Sequence, residues 1–549
     1  RSTHKGRQIF LVPEQYTSQA ERDLTARTER KGILTAEVLS FGRLAHQFFA
    51  KNGLNRAVIL GDVGKQMALQ KILLEQRDDL PYFCHMMDKN GFVSRLGKTI
   101  TEFFRYRVTP EQLETLSTQE GLSHSVQDKC QDMASIYRRY EEFLSQTYLT
   151  GDTTLSLLEE KLASSAAFGD TEIWLDGFYG FTPQEYGVIA QLLRLCKRVS
   201  ITLPMDEHSY FASSLPPAAP FFEPHLTKQK LVSLAEEMGI AMESPVFFKE
   251  NHRAQTPALT FLEKNYFYGY YKKSPDHEGI HICSCATRES EMAYAAGQIL
   301  SLVREKGLRY RDIAIVTNAM SAYEKGLKGI LSEAGIPCFV DSRRDIFSHP
   351  LILLVNSLLE CVVYDFRYEA VFSYLKTGLT PMAQEDMDIL ENYVLAYGIK
   401  GYKWKKDVWT YGFQPGQEAE QAYLNDLRAQ VMTPFAPLLA LKRKKNLPLR
   451  DWVTALVVQL DTLGIAPKLT ALSEAAAAKG NAAKAEEHRQ IWQILMDVLQ
   501  KAVEILGDAP MSLDTFARIL SAGLEESSMG LIPPTADSLL VGDIERSRL

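Results

Sequence analysis

From Ile9 to about Ile72, short apolar runs alternate with amphipathic stretches in the order strand, helix, strand, helix. Phe10-Leu-Val-Pro13 reads as the first strand and Ser18 to Arg30 as a polar helix. Glu37-Val-Leu-Ser-Phe41 reads as the second strand, and Leu44 to Phe49 opens the next helix. Residues 75–165 then carry apolar side chains at helical spacing, as in Leu96, Ile100, Phe103, Phe104 and in Ile136, Tyr140, Phe143, Leu144, which predicts helix throughout. Strand character returns at Thr171-Glu-Ile-Trp-Leu-Asp176 and at Arg198-Val-Ser-Ile-Thr-Leu203. The pattern is an α/β core interrupted by an all-helical insertion.

The Pro- and Ser-rich residues 213–227 predict a surface loop, and Tyr266-Phe-Tyr-Gly-Tyr-Tyr271 with Lys272, Lys273 and Pro275 a domain boundary. A second α/β unit follows. Its predicted strands are Gly279–Cys283, Asp312–Thr317 and Ile336–Asp341, with helices over Glu289–Lys306 and Glu324–Ala334 between them. Short connections of this kind imply a parallel sheet. Residues 350–525 are helical again, including an Ala-rich stretch around Ala475–Ala478, and the strand Ser538–Asp543 is expected to return to the second sheet.

Composition narrows the function classes. A chain of 549 residues, 46% hydrophobic and 23% charged, is globular with about three to four domains. The net charge of −7 confines any nucleic-acid surface to a local patch or groove. No run of about 18 uncharged apolar residues offers a membrane span, and the basic start, Arg1 to Arg7, leads into a strand without a signal-peptide core. The seven cysteines are scattered and odd in number, which fits reduced cytosolic thiols, and Cys283-Ser-Cys285 lacks zinc spacing, so no metal site is expected. The first strand arrives after only a handful of residues and the last is followed at once by Glu545-Arg-Ser-Arg-Leu549, as expected of a piece of a longer protein. No G-x-x-x-x-G-K-[ST] occurs, so binding of a nucleotide in the P-loop manner is not expected.

Two α/β cores with helical insertions resemble a superfamily 1 helicase of the UvrD/RecB type. The strings Leu11-Val-Pro-Glu-Gln-Tyr-Thr17, Val38-Leu-Ser-Phe-Gly-Arg-Leu-Ala45, Asp176-Gly-Phe-Tyr-Gly-Phe-Thr-Pro-Gln-Glu185, Ile336-Pro-Cys-Phe-Val-Asp341 with His349-Pro-Leu351, and Val541-Gly-Asp-Ile-Glu-Arg-Ser-Arg548 resemble the AddB family. Its members are the second subunits of bacterial AddAB helicase–nucleases. The resemblance implies two RecA-like parallel-sheet cores, 1A at 1–75 and 165–275 (without its first strand and P-loop) and 2A at 276–376 and 526–549. Their helical insertions are 1B at 76–164 and 2B at 377–525. It covers the helicase-like half; the family's P-loop and its nuclease domain with an iron–sulfur cluster lie outside these residues.

A working motor of this class needs an acidic pair after a core strand, one acid for Mg2+ and one for the attacking water. Here the pair reads Asp176-Gly177, and Gln184 or Glu185 comes about two turns too late. Asp176 either is the remnant of that motif or caps a strand; in both cases the motor is expected to be inactive. Gln15, Thr17, Phe41, Arg43 and His46 follow core strands, at the carboxyl ends where open α/β sheets place ligands. Phe41 suits base stacking and Arg43 suits a phosphate or a guanine edge, yet on spacing alone a core Phe and a surface Arg are the simpler reading. The resemblance favours DNA, because the family reads single-stranded Chi on this surface. Phe178, Tyr179 and Phe181 follow Asp176 and are candidates for the same path, two of the three being expected to pack.

In the second core, Arg343 and Arg344 stand where a helicase contacts phosphates, with a solvated turn as the alternative, and Arg546 and Arg548 occupy a late helicase motif. Tyr402-Lys-Trp-Lys-Lys406 interleaves aromatics with cations, and Lys442-Arg-Lys-Lys445 is a basic run of the sort found at solvated helix ends. The leading expectation is a DNA-binding, helicase-like subunit of a cytoplasmic ATP-dependent helicase–exonuclease for double-strand-break repair. Its implied partners are an AddA-type subunit and single- and double-stranded DNA, with no catalytic residue and no cofactor in these residues. ATP/Mg2+ and the iron–sulfur cluster belong to the full-length family. The alternatives are a superfamily 1 ATPase separated from its P-loop and a structural clamp for the motor subunit.

Overall fold

The computed structural model describes residues 6–27, 36–52, 58–87, 89, 91–165, 167–248, 250, 256–266, 272–340, 344–444, 447–529 and 537–544. Strands β1 (Arg7–Leu11) and β2 (Ala36–Leu39) pair in parallel. After them β3 (Val58–Leu60) and β4 (Tyr148–Thr150) form a separate parallel pair. Strands β5 (Thr171–Leu175) and β6 (Arg198–Ile201) then complete a four-stranded parallel sheet in the order β2–β1–β5–β6. Ile9, Leu11, Ile173 and Leu175 are buried on one face of this sheet, as the two-residue period of a strand requires. Phe41, Leu44, Ala45 and Phe48 of the helix Phe41–Lys51 and Val188, Ile189 and Leu192 of the helix Pro183–Leu195 pack into the same core.

The second sheet holds β7 (Ala314–Thr317) and β8 (Cys338–Val340). Two short antiparallel ladders lie further along: β9 (Arg344–Asp345) pairs with β12 (Ser528–Met529), and β10 (Leu447–Pro448) with β11 (Pro510–Met511). Finally β13 (Leu539–Asp543) inserts between β7 and β8, parallel to both, so the last strand returns to the second sheet as expected. The largest core is helical. It runs from Ile346 to Leu524, buries Trp404, Trp409 and Trp452, and takes in Met67 from the helix Asp62–Glu75. Gly523 leaves no room for a Cβ against Met67, which is how the helix Leu513–Glu526 approaches so closely.

Four expectations need correction. Residues 75–165 are not helical throughout, because β4 interrupts them with a strand of three residues, too short to carry a period. The helix Phe222–Glu237 begins inside the expected loop 213–227; Pro224 is tolerated in its first turn, where the missing N–H has no helical partner to lose. Phe41 does not end a strand but opens a helix, capped by the Ser40 side chain, which accepts from Arg43 N at 3.2 Å. Gly279–Cys283 is not a strand: it joins no ladder among the described residues, and Ile282 is 97% exposed. Residues 267–271, Arg343, Lys445, Arg546 and Arg548 lie outside the described residues. No single helix among the described residues is long and apolar enough to cross a membrane, and the apolar helices Leu449–Thr462 and Ile465–Ala478 contribute Leu449, Trp452, Leu456 and Ile465 to the helical core.

Candidate functional site at the carboxyl edge of the first sheet

Register decides which side chains meet. Leu11 stands opposite Leu39 on one side and Leu175 on the other, and Leu175 is opposite Ile201. The ladders run one step further, through Val12 N to Leu39 O at 3.0 Å, Asp176 N to Leu11 O at 3.0 Å and Thr202 N to Leu175 O at 2.9 Å. The segments beginning at Pro13, Ser40, Asp176 and Thr202 therefore leave the sheet at one level, on its carboxyl edge. That is where open parallel sheets bind ligands.

Glu14 joins two of these segments. Its carboxylate accepts from the Ser40 hydroxyl and from Arg43 Nε, the latter at 3.1 Å. Arg43 is exposed and makes no other side-chain hydrogen bond among the described residues, so its terminal nitrogens face solvent. His46, one turn along the same helix, is also exposed, and residues three apart share a helix face. Gln15 is exposed beside Glu14. Thr17 is different: it is buried and its hydroxyl donates to Glu14 O at 2.9 Å, so it shapes the turn and presents no donor to a ligand.

Phe41 also departs from the expected role. It is 5% exposed, and its ring meets Phe178 and Phe181 edge-on, with centroids 5.7 and 6.3 Å away. Phe178 and Phe181 are half-buried and lie 5.0 Å apart, and Phe181 in turn meets Tyr186 at 5.6 Å. The three phenylalanines form an aromatic floor. Burial also raises the Tyr186 hydroxyl above the usual phenol range, so it stays protonated. Tyr179 is the member of the group that faces outward, at 70% exposure, its carbonyl held by the Thr227 hydroxyl at 3.0 Å. Of the three aromatics, two pack, as expected, and the outward one is the residue that the motif reading put forward least.

The remains of a motor motif are tied into the fold. Asp176 accepts from the Thr202 hydroxyl, across to the loop after β6. Gly177 has φ +88°, a conformation that side chains other than glycine adopt only under strain. Gln184 is buried and donates to Ser156 Oγ at 3.0 Å, so it does not reach the edge of the sheet. Glu185 closes a capping box with Thr182, accepting from Thr182 N at 2.7 Å. Neither side chain replaces a missing acid beside Asp176.

Arg344 belongs to the β9–β12 ladder, opposite Met529, and its side chain lies outside the described residues. Sequence reasoning missed Glu14 and Ser40. Glu14 lies inside the string 11–17 that carried the resemblance, but its partners are 26 and 29 residues away and no local pattern announces them.

Comparison with known proteins agrees with this arrangement. Residues 1–263 match the family described as ADDB, N-terminal. The chain is 38% identical over 554 residues to the second (B) component of the ATP-dependent helicase/deoxyribonuclease of Acetivibrio thermocellus, an alignment that covers 98% of this chain and 48% of that protein. It is 35% identical over 556 residues to the protein of the same name from Lachnoclostridium phytofermentans, covering 99% and 48%, and 37% identical over 566 residues to that from Symbiobacterium thermophilum, covering 98% and 48%. The chain thus spans about half the length of the curated relatives it matches.

Proposed function

This chain belongs to the AddB family, and on that premise we propose that it is the DNA-binding, helicase-like part of a two-subunit ATP-dependent helicase–exonuclease that processes double-strand breaks in the cytoplasm. Its partners in this reading are an AddA-type motor subunit and DNA, both single- and double-stranded. The two parallel sheets are read as the RecA-like cores 1A and 2A, and the helical stretches as 1B and 2B. The observation that carries the reading is the carboxyl edge of the first sheet, where Glu14 holds an exposed Arg43 beside Gln15, His46 and Tyr179.

The chemistry of that edge suits a single strand that carries a recognition sequence such as Chi. The free nitrogens of Arg43 form a planar fork for a phosphate or for guanine O6 and N7. Gln15 offers an amide to a base edge, and Tyr179 a ring on which an unpaired base gains about 1–3 kcal/mol by stacking. Phe41, Phe178 and Phe181 support that surface from below. Arg343, Arg344, Arg546 and Arg548 remain assigned as further cations of the strand path and of the degenerate motor motifs.

The residues present do not fit a nucleotide with its Mg2+: no P-loop string occurs in the sequence, Asp176 is bonded to Thr202, and the next position requires glycine. No ATPase or nuclease activity is assigned to this chain, and no iron–sulfur cluster is assigned to its cysteines. The test is made in the complete two-subunit enzyme. Arg43→Ala is expected to abolish the response to Chi while leaving unwinding intact; an unchanged response would put the reader elsewhere. Salt-dependent binding of single-stranded DNA by this chain distinguishes the reading from a structural clamp, which would bind none.

A further inference from the structure

Two basic segments that lie apart in sequence, 402–406 and 442–444, come together at the carboxyl end of the helix Pro350–Val363. Lys442 Nζ donates to the terminal carbonyls Val362 O and Val363 O, where a cation also complements the helix dipole. Two residues on, Asp365 pairs with Lys405, whose ammonium lies 5.9 Å from the Phe366 ring centroid. Gly401 N donates to Phe366 O at 3.4 Å, which brings the 401–406 turn onto the same helix end. Arg367 stands over the Tyr364 ring at 4.9 Å, and Lys406 over the Tyr402 ring at 5.5 Å.

Some of these cations are committed to the fold. Lys403 closes the helix Gln384–Ala396 by donating to Tyr397 O and Gly398 O, and Lys405 offsets Asp365. Others are not. Lys400, Arg443 and Lys444 are exposed and have no ion-pair partner among the described residues. Asp365 is already paired and Asp407 is the other acid in these segments, so the surface is strongly positive in a chain whose net charge is −7. Concentrating cations on one face of an acidic protein carries an electrostatic cost, and a polyanion relieves it.

We propose that this face of the helical unit is a second DNA-binding surface, which holds the phosphate backbone of a duplex without reading its sequence. Phosphate contact rather than base stacking follows from the tyrosines: the faces of Tyr364 and Tyr402 are covered by Arg367 and Lys406 of the same patch. The cations are left to meet phosphates, which position a duplex and carry no sequence information. The choice of DNA among polyanions rests on the function proposed above; the convergence of the two segments does not.

The test measures binding of the whole chain to a short random-sequence duplex and to an oligothymidylate single strand, across a salt titration. The triple variant Lys400→Gln, Arg443→Gln, Lys444→Gln removes exposed charges that hold no part of the fold. It is expected to weaken duplex binding roughly tenfold at low salt and to flatten the log–log salt slope by about 2 to 3, near one per lost phosphate contact. Unchanged duplex affinity and slope would overturn the proposal, as would a wild-type chain that binds no duplex. An equal loss on the single strand would overturn the assignment to duplex. Arg43→Gln is measured in parallel: if it leaves single-strand binding intact while the triple variant loses the duplex, the sheet-edge reading fails and this one stands.

Discussion

Arg43 reaches the edge of the first sheet on a tether: its Nε donates to Glu14 Oε1 at 3.1 Å, while the same carboxylate accepts from Ser40. The loop after one strand thereby fixes the direction of the cation after its neighbour. Both partners are about half exposed, and exposed ion pairs contribute only about 0–1 kcal/mol to stability. The value of the pair lies in orientation. Glu14→Ala is therefore expected to change the thermal midpoint little and to weaken the Chi response of the two-subunit enzyme without abolishing it, as Arg43→Ala does. Equal loss in the two variants would mean that Glu14 itself meets the DNA.

Phe41 predicts the opposite behaviour. Its ring is buried against Phe178 and Phe181, so Phe41→Ala opens a cavity beneath the sheet edge and is expected to cost about 3–5 kcal/mol. Denaturant unfolding of this chain checks it, with Arg43→Ala as the control that leaves stability within about 1 kcal/mol. A loss below about 1 kcal/mol for Phe41→Ala would show that the ring is free to leave the floor and stack on a base.

The contrast between these two residues marks what the sequence made legible. β1 and β5 are continuous apolar runs bounded by polar turns, and their reading held with shifts of a residue or two at the ends. β3 and β4 span three residues each, below the length at which periodicity means anything. At 279–283 the alternation of Ile280 and Ile282 is strand-like, but a strand also needs an edge to pair with, and no local pattern supplies one. The sheet-edge residues were found because they follow strands. Their roles were not, since the burial of Phe41 depends on rings that arrive only after the whole first helical stretch.

Gly177 gives a prediction about the silent motor motif. At φ +88° any side chain other than glycine is strained by about 1–2 kcal/mol. Gly177→Ala is expected to lower stability by about that amount. Gly177→Glu restores the acid by composition but not by geometry, so ATP turnover with Mg2+ is expected to stay at background. Turnover of about 10 per second or more in the wild-type chain, abolished by Asp176→Ala, would show the motif to be alive.

The last prediction concerns a pair of histidines inside the helical unit. His349 caps the helix Pro350–Val363, its Nδ1 accepting from Leu351 N at 3.1 Å, which leaves the proton on Nε2. That nitrogen donates to His488 Nδ1 at 2.9 Å, so both rings must be neutral for the chain of bonds to hold. Burial, reinforced by the neighbouring His488 and by Lys484 and only partly opposed by Glu487, pushes His349 down to about 4. Burial also lowers His488. In the unfolded chain a histidine takes up its proton near pH 6.5, so the unfolded state binds more protons than the folded one below that pH. The stability contributed by the neutral pair is complete above about pH 6.5 and falls as pH drops towards about 4, at up to about 1.4 kcal/mol per unit for one group. His349→Ser keeps a helix cap and removes the titration. It is expected to be less stable than wild type at pH 7, with the two thermal midpoints converging by about pH 5, whereas parallel curves over that range would mean that the pair does not control the acid sensitivity of this unit.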